Sequence, residues 1–432
     1  MTVDQEQRIP KHSKIIEVKK RHLIGSMIGN ACEWYDYVVY GSLAPVLSII
    51  FFPKDDKVAG LMLTFAVFAA GFLVRPIGGA FFGNFADKYG RKKAFIFSML
   101  LMAVPALAIG LLPRYNSIGR LSPFLLLVFR LLQGFAIGGE YPTMVAYIAE
   151  LAPPKKRGYI GSYASVTTVA GVLLATITVA VVTKGFTHQQ LMAYGWRIPF
   201  FLTFFTIVFG WYIRLKLPES MMFLAEKVMN SYPVIEAIKN TKLEMIKIFG
   251  YIICIAVAYY TFNIFSTTYF TSSLNLNYLT ALQISIVSIL FLIILLPIVG
   301  RFSDIYGRKK TNIIAILSMI IFIYPVYLGF SQKILWLAIV SQFIFAGLIA
   351  LYLAPLPAMI AEQVTTKTRC SSIAVGYNFA LALFGGTAPV VNMFIIKHFA
   401  SDLAPSVYLI IAGIVSLLAT ICMKDLTGKR LL

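Results

Sequence analysis

Five ionisable side chains lie inside strongly apolar runs of this sequence. Glu33 and Asp36 sit in GNACEWYDYVVYG, Arg75 in GFLVRPIGG, and Arg130 and Glu140 in FRLLQGFAIGGEYP. A charge at the centre of a membrane-spanning helix costs at least about 2.5–3.5 kcal/mol on insertion scales, so each needs a partner, water or a task. Glu33 and Asp36 are three apart and share one helix face. A carboxylate beside an arginine in such surroundings can exchange a proton for a solute, because burial disfavours its charged form and a guanidinium favours it. The chemistry expected of these five residues is proton coupling and substrate binding. A permanent ion pair within a helix bundle is the plainer alternative for Glu33, Asp36 and Arg75. For Arg130 that alternative is a charge satisfied by carbonyls and water near a helix break.

The second half of the chain has no Asp, Glu, Lys, Arg or His well inside an apolar run. Its polar candidates are Tyr259, Tyr260, Asn263, Tyr377 and Asn378, which with Tyr35 form the expected lining of a substrate cavity. Trp34, Tyr35, Tyr37, Tyr40, Tyr259 and Tyr260 also offer ring faces to a quaternary ammonium. Aromatic residues make up 14% of the chain, however, so ordinary packing and interface anchoring is the better account of any one of them. The four cysteines are far apart and lack metal spacing. No nucleophile triad, metal set or phosphate loop is visible, so an enzyme, a cofactor and a metal are not expected.

The elements that position these groups follow from composition. Of 432 residues, 59% are hydrophobic and 13% charged, and the mean hydropathy is +0.80, too apolar for a water-soluble chain. The net charge of +20 sits between apolar runs, which argues against nucleic acid as a partner. Runs of spanning length, roughly 20 residues each, can be laid out at 24–51, 58–82, 94–113, 122–149, 159–183 and 196–217, then at 245–272, 279–299, 311–330, 334–361, 372–397 and 404–423. The expected fold is all-α and integral to a membrane, twelve helices in two six-helix bundles, 23–217 and 244–423. A tail (1–22), a central linker (218–243) whose MMFLAEKVM suits a membrane surface, and a short final tail (424–432) complete it.

The halves repeat. GNFADKYGRKK at Gly83–Lys93 returns 217 residues later as GRFSDIYGRKK at Gly300–Lys310. Each copy is a charged turn between two spans, with Gly83 and Gly300 permitting close helix approach. Asp87 and Asp304 can accept bonds from a helix N-terminus or a base. Glu150 and Arg157 after span four, and Glu362 and Arg369 after span ten, have six intervening residues in both places. Most of the 38 basic residues fall in segments that are cytoplasmic if both termini are, which fixes that orientation. At 1.5 Å per residue, Glu33, Asp36, Arg75 and Glu140 lie roughly 12–18 Å from the cytoplasmic ends of their spans and share a layer, with Arg130 deeper.

From about residue 22 to 423 the sequence resembles the major facilitator superfamily, through its two G-x-x-x-D-x-x-G-R-K turns and its two Glu-to-Arg pairs. Within that superfamily GNACEWYDYVVYG, the later FFP at Phe51–Pro53, GFLVRPIGGAFFGNFADKYGRKK and RLLQGFAIGGEYP resemble the metabolite:proton symporters, which include carriers of proline and betaine, 2-oxoglutarate, citrate and shikimate. The resemblance implies alternating access between two related bundles. It places Glu33, Asp36, Arg75 and Glu140 on positions tied to substrate and proton. Gly83, Asp87, Gly90, Arg91, Glu150 and Arg157, with Gly300, Asp304, Arg308, Glu362 and Arg369, then form a cytoplasmic gate. Ser303 in place of Ala86 and Ile305 in place of Lys88 suggest a weaker or differently tuned gate in the second half. The chain ends at KDLTGKRLL without the long coiled coil of osmosensing carriers, so osmotic control by such a coil is not expected.

The function expected is import of a small polar metabolite with protons by a monomer in the inner or cytoplasmic membrane, driven by the proton gradient. Three acids against two arginines rank a zwitterionic osmolyte or amino acid ahead of di- and tricarboxylates or shikimate. A uniporter or drug exporter with a merely structural ionic layer, and a non-transporting membrane metabolite sensor, are the competing readings.

Overall fold

The computed structural model describes residues 12–53, 57–215, 238–365 and 368–431, and among them every regular element is helical. In hydrocarbon each backbone N–H and C=O must be satisfied within its own segment, so apolar runs of this length become helices. Among the described residues ten helices are long and apolar enough to cross a membrane: Ala59–Ala86, Lys92–Leu111, Leu121–Leu151, Pro154–Gly185, Lys242–Ser272, Tyr278–Tyr306, Arg308–Ser331, Leu335–Glu362, Arg369–Phe399 and Ala404–Ile421. An eleventh is the bent pair Met27–Ser42 and Ala44–Phe51, turned by 61°. The expected sixth span is Ile198–Phe201 followed by Thr203–Leu215. These are spans one to twelve in chain order. Of the expected linker, 218–237 falls outside the described residues, and the helix of span seven already begins at Lys242. The first helix already begins at His12, so part of the expected tail belongs to the helix of span one.

Several breaks have a sequence cause and sit beside the charged residues. Pro45 has no N–H to donate, and span one bends just before it. Pro76 does the same in span two, so Arg75 becomes the first residue of a new helix after Val74. Gly138 and Gly139 interrupt span four and leave Glu140 in the first turn of the following helix, where its charge complements the positive helix end. Spans seven and eleven each contain a wide π-turn, Thr261–Phe265 and Leu381–Gly385, of the kind often found at functional sites.

The duplication reappears in the packing. Span two, which carries the first copy of the charged turn, lies against span eleven, and span eight, which carries the second, lies against span five. Spans one and seven, and five and ten, also meet across the halves. Gly300 is required at one seam, since a Cβ there would come within 2.8 Å of Ser162 and 2.9 Å of the Gly158 carbonyl. Gly83 is under no such demand, its nearest neighbour being the Ser371 Cα at 3.5 Å. Both turns pivot on a glycine at positive φ, Gly90 at 105° and Gly307 at 98°. Leu63, Ile77, Val104, Ile294, Ile321 and Leu418 are among the large apolar side chains exposed on the outer surface, where lipid would cover them.

Candidate functional site

A chamber lies where the halves meet. Trp34 of span one and Tyr141 of span four face Tyr259 and Tyr260 of span seven and Tyr377 of span eleven, with Ser165 and Thr168 at its edge. Tyr141 stacks on Tyr377 at 4.7 Å, and Trp34 meets Tyr259 edge-on at 6.0 Å. The space holds about 20 Å3 for water-sized occupants, room for a water or two, so a metabolite enters only if these rings part.

Beside the chamber stands Arg75, fully buried. Its Nε donates to Asn378 Oδ1 at 3.3 Å, and its Cζ lies 4.9 Å from the Phe72 ring centroid. Nη1 and Nη2 make no hydrogen bond of good geometry among the described residues, and the Tyr260 hydroxyl is the polar group that faces the guanidinium. The guanidinium charge acts on the hydroxyls of Tyr37, Tyr260 and Tyr377. No acid pairs with it among the described residues, which leaves a buried cation free to receive an anionic group next to aromatic walls.

Within the expected layer the described contacts run in separate directions. Glu33, Asp36, Arg75 and Glu140 are all buried, and none of the described contacts joins Arg75 to any of the three acids. Asp36 turns to span six, where the Thr206 hydroxyl lies 2.9 Å from both carboxylate oxygens, and no base pairs with it among the described residues. Glu140 accepts from Ser98 Oγ of span three at 3.0 Å. Depth along a helix is fixed by residue count, whereas direction around the axis is fixed by packing, and here the two diverge. The alternative of a permanent pair between Arg75 and either Glu33 or Asp36 is absent from the described contacts.

Arg130 is boxed by rings, its Cζ 4.3 Å from Tyr37, 4.5 Å from Tyr40 and 5.2 Å from Phe68. It donates to Gln133 Oε1 at 2.8 Å and to the Tyr37 carbonyl at 3.3 Å. The aromatic set is likewise redistributed. Tyr35 leaves the cavity, donating to the Pro199 carbonyl at 2.8 Å, and Tyr40 donates to the Thr64 carbonyl at 2.8 Å. Asn263 lies in the π-turn of span seven and bonds its own backbone at Tyr259. Ser98 and Thr206 carry polar contacts, and Tyr141 a ring contact with Tyr377, that the sequence reading did not single out. Tyr141 had a signal, since it follows Glu140 in GGEYP.

On the face that carries the two glycine turns, ion pairs link the halves. Arg157 Nη1 lies 2.5 Å and Arg308 Nη1 2.9 Å from Glu362 Oε1, while Arg369 Nη1 lies 3.2 Å from Glu150 Oε1. Each arginine after spans four and ten uses Nε to hold a carbonyl of its own half, Arg157 that of Ala149 and Arg369 that of Ala361, and reaches across with its Nη end. Asp304 accepts from the backbone N–H groups of Gly158 and Tyr159, both at 2.8 Å, capping span five from the other half, and pairs with Arg308 at 2.8 Å. The side chains of Asp87 and Arg91 lie outside the described residues, as does the comparison of the two turns' strength. Past span twelve the chain folds beneath this network. Thr427 Oγ1 accepts from the Arg308 backbone N–H at 2.9 Å, and the Lys429 carbonyl accepts from Arg157 at 3.2 Å. At the opposite face the Tyr278 hydroxyl donates to the Ser42 carbonyl, again across the halves.

Residues 22–248 match the family model described as sugar (and other) transporter, and residues 248–427 match that of the Major Facilitator Superfamily. A putative proline/betaine transporter of Staphylococcus aureus (strain MSSA476) is 32% identical over 419 residues, covering 95% of this chain and 90% of the relative. The proline/betaine transporter of Escherichia coli (strain K12) is 27% identical, covering 95% of this chain and 85% of the relative. Among solved structures, that of the proton:xylose symporter XylE bound to 6-bromo-6-deoxy-D-glucose superposes with a TM-score of 0.78 at 18% identity, over 96% of this chain and 98% of that one.

Proposed function

The chain belongs to the major facilitator superfamily, a multi-pass membrane transporter rather than an enzyme, and we propose that it is a symporter importing a small zwitterion of the proline or betaine type together with protons. The observation that carries this reading is the buried guanidinium of Arg75, its Nη edge unpartnered, beside a chamber walled by Trp34, Tyr141, Tyr259, Tyr260 and Tyr377. A carboxylate pairs with the guanidinium as a charge-assisted, two-bond fork. A substituted ammonium rests against ring faces, worth about 0.5–2 kcal/mol per good contact. One ligand bearing both groups satisfies both features. A citrate-like anion would need a second cation at the chamber, and Arg130, although its Nε and Nη2 also lack partners, is enclosed by Tyr37, Tyr40 and Phe68. The names of the relatives favour the same substrate class.

Asp36 is the proton carrier in this reading: a buried carboxylate held by a hydroxyl, with no base among its described partners. Glu33 and Glu140 are the other acids in play. The Glu362 and Asp304 network is the cytoplasmic gate, and rocking of the halves exposes the chamber to one side at a time. The basic residues favour a cell membrane with both termini and both glycine turns cytoplasmic.

The test is uptake into proteoliposomes of labelled proline, betaine, 2-oxoglutarate and citrate, with and without an inward proton gradient. Gradient-dependent accumulation of the zwitterions alone is expected. Equal uptake without a gradient, or preference for the di- and tricarboxylates, contradicts the proposal.

A further inference from the structure

Asn378 of span eleven sits fully buried in a notch of the opposite half. Its Nδ2 donates to the Gly138 carbonyl at the break of span four, 2.5 Å away, and its Oδ1 accepts from Arg75 Nε at 3.3 Å. The notch exists because its walls lack side chains. A Cβ on Gly79 would come within 2.6 Å of Asn378 Nδ2, while Gly138, whose carbonyl the amide reaches, packs so closely on span two that a Cβ there would come within 2.4 Å of the Arg75 carbonyl. A single amide from the second half thus bonds two elements of the first half and touches one atom of the Arg75 guanidinium, which stands behind the chamber-lining Tyr260 and Tyr377.

A guanidinium offers a carboxylate two kinds of forked edge, one using Nε and one using both Nη atoms. With Nε taken by Asn378, the Nη1/Nη2 edge is the one left, and these are the two atoms without partners. We propose that Asn378 is a positioning residue that sets the carboxylate-binding edge of Arg75 and makes it conditional on closure of the two halves. When the halves separate at this seam, the amide withdraws with span eleven, Arg75 regains its freedom to turn, and the fixed fork is lost. Substrate affinity and conformation are thereby linked through one side chain, since a ligand can bias an equilibrium only by binding its two states differently. The inference rests on the reading of Arg75 as the carboxylate anchor.

Labelled betaine uptake into proteoliposomes is measured with unlabelled betaine and with choline, the same cation without a carboxylate, as competitors. Wild type is expected to discriminate against choline by at least about tenfold, and Arg75→Gln to lose most of that ratio. Asn378→Ala is expected to raise KM for betaine about tenfold with Vmax within about twofold, and to lower the choline-to-betaine ratio toward that of Arg75→Gln. Asn378→Asp matches the amide in size but gives up the donor to the Gly138 carbonyl and pairs its own carboxylate with Arg75; it is expected to cut betaine uptake at least about tenfold at all concentrations. It serves if the alanine variant does not reach the membrane. A fall in Vmax alone with the ratio unchanged in Asn378→Ala, or near-normal uptake by Asn378→Asp, overturns the inference while leaving the Arg75 reading intact. An unchanged ratio in Arg75→Gln overturns both.

Discussion

Arg157 Nη1 lies 2.5 Å from Glu362 Oε1 although the two residues come from opposite halves of the chain, and Arg369 reaches Glu150 in the reverse direction at 3.2 Å. The equal Glu-to-Arg intervals in the two halves therefore describe crossed pairs. Such a crossing ties ionic contact to conformation, because neither pair survives separation of the halves on this face.

Glu362→Gln leaves Arg157 and Arg308 facing each other without their shared counter-ion, a cost of about 3–5 kcal/mol to the closed form by analogy with broken buried pairs. Spin labels at Lys155→Cys and Lys310→Cys are expected to report one narrow distance in the parent. In the Glu362→Gln background they should show a longer, broader distribution, together with reduced accumulation. An unchanged distribution contradicts the gate reading.

Gly134 is where spans two and four touch, and a Cβ there would lie 1.7 Å from the Gly71 carbonyl oxygen. Backbone cannot yield as a flexible side chain does, so Gly134→Ala is expected to cost more than about 3 kcal/mol. In detergent this should lower the melting temperature by on the order of 5 °C or more. Gly347→Ala, with no atom within 4 Å of the new methyl, should melt like the parent.

Asp36→Asn keeps the shape of the Thr206 contact and removes the proposed proton site. Gradient-driven accumulation of betaine is expected to fall to background, while exchange of labelled for unlabelled betaine across vesicles, which needs no net proton movement, continues within about threefold of the parent rate. Loss of both activities together would move the proton function to another acid.

Trp34→Leu removes one ring face from the chamber. The KM for betaine should rise by about 2- to 30-fold, the range that one cation–π contact of about 0.5–2 kcal/mol implies. An unaltered KM would place the ammonium elsewhere.

The membrane class, the duplicated turns and the burial of Glu33, Asp36, Arg75, Arg130 and Glu140 were all legible, because apolar length and charge position are written directly in residue order. Azimuth was not. Asp36 and Arg75 fall at similar depths, yet one faces Thr206 within its own half and the other Asn378 across the seam. That choice depends on which neighbour packs on which side, which no single helix encodes. The crossed pairing was hidden for a related reason, since a Glu and an Arg with six residues between them look like local partners until the two halves are placed face to face. Tyr35 and Tyr141 show the same limit. The first, beside Trp34, points to span six, while the second, beside Glu140, lines the chamber.

The external pH of a weakly buffered suspension of de-energised proteoliposomes, recorded as betaine or proline is added, tests coupling at its source. Entry of the zwitterion with a proton predicts a transient rise in external pH, absent with choline and absent in Asp36→Asn. Entry of labelled betaine with no change in external pH would contradict the account.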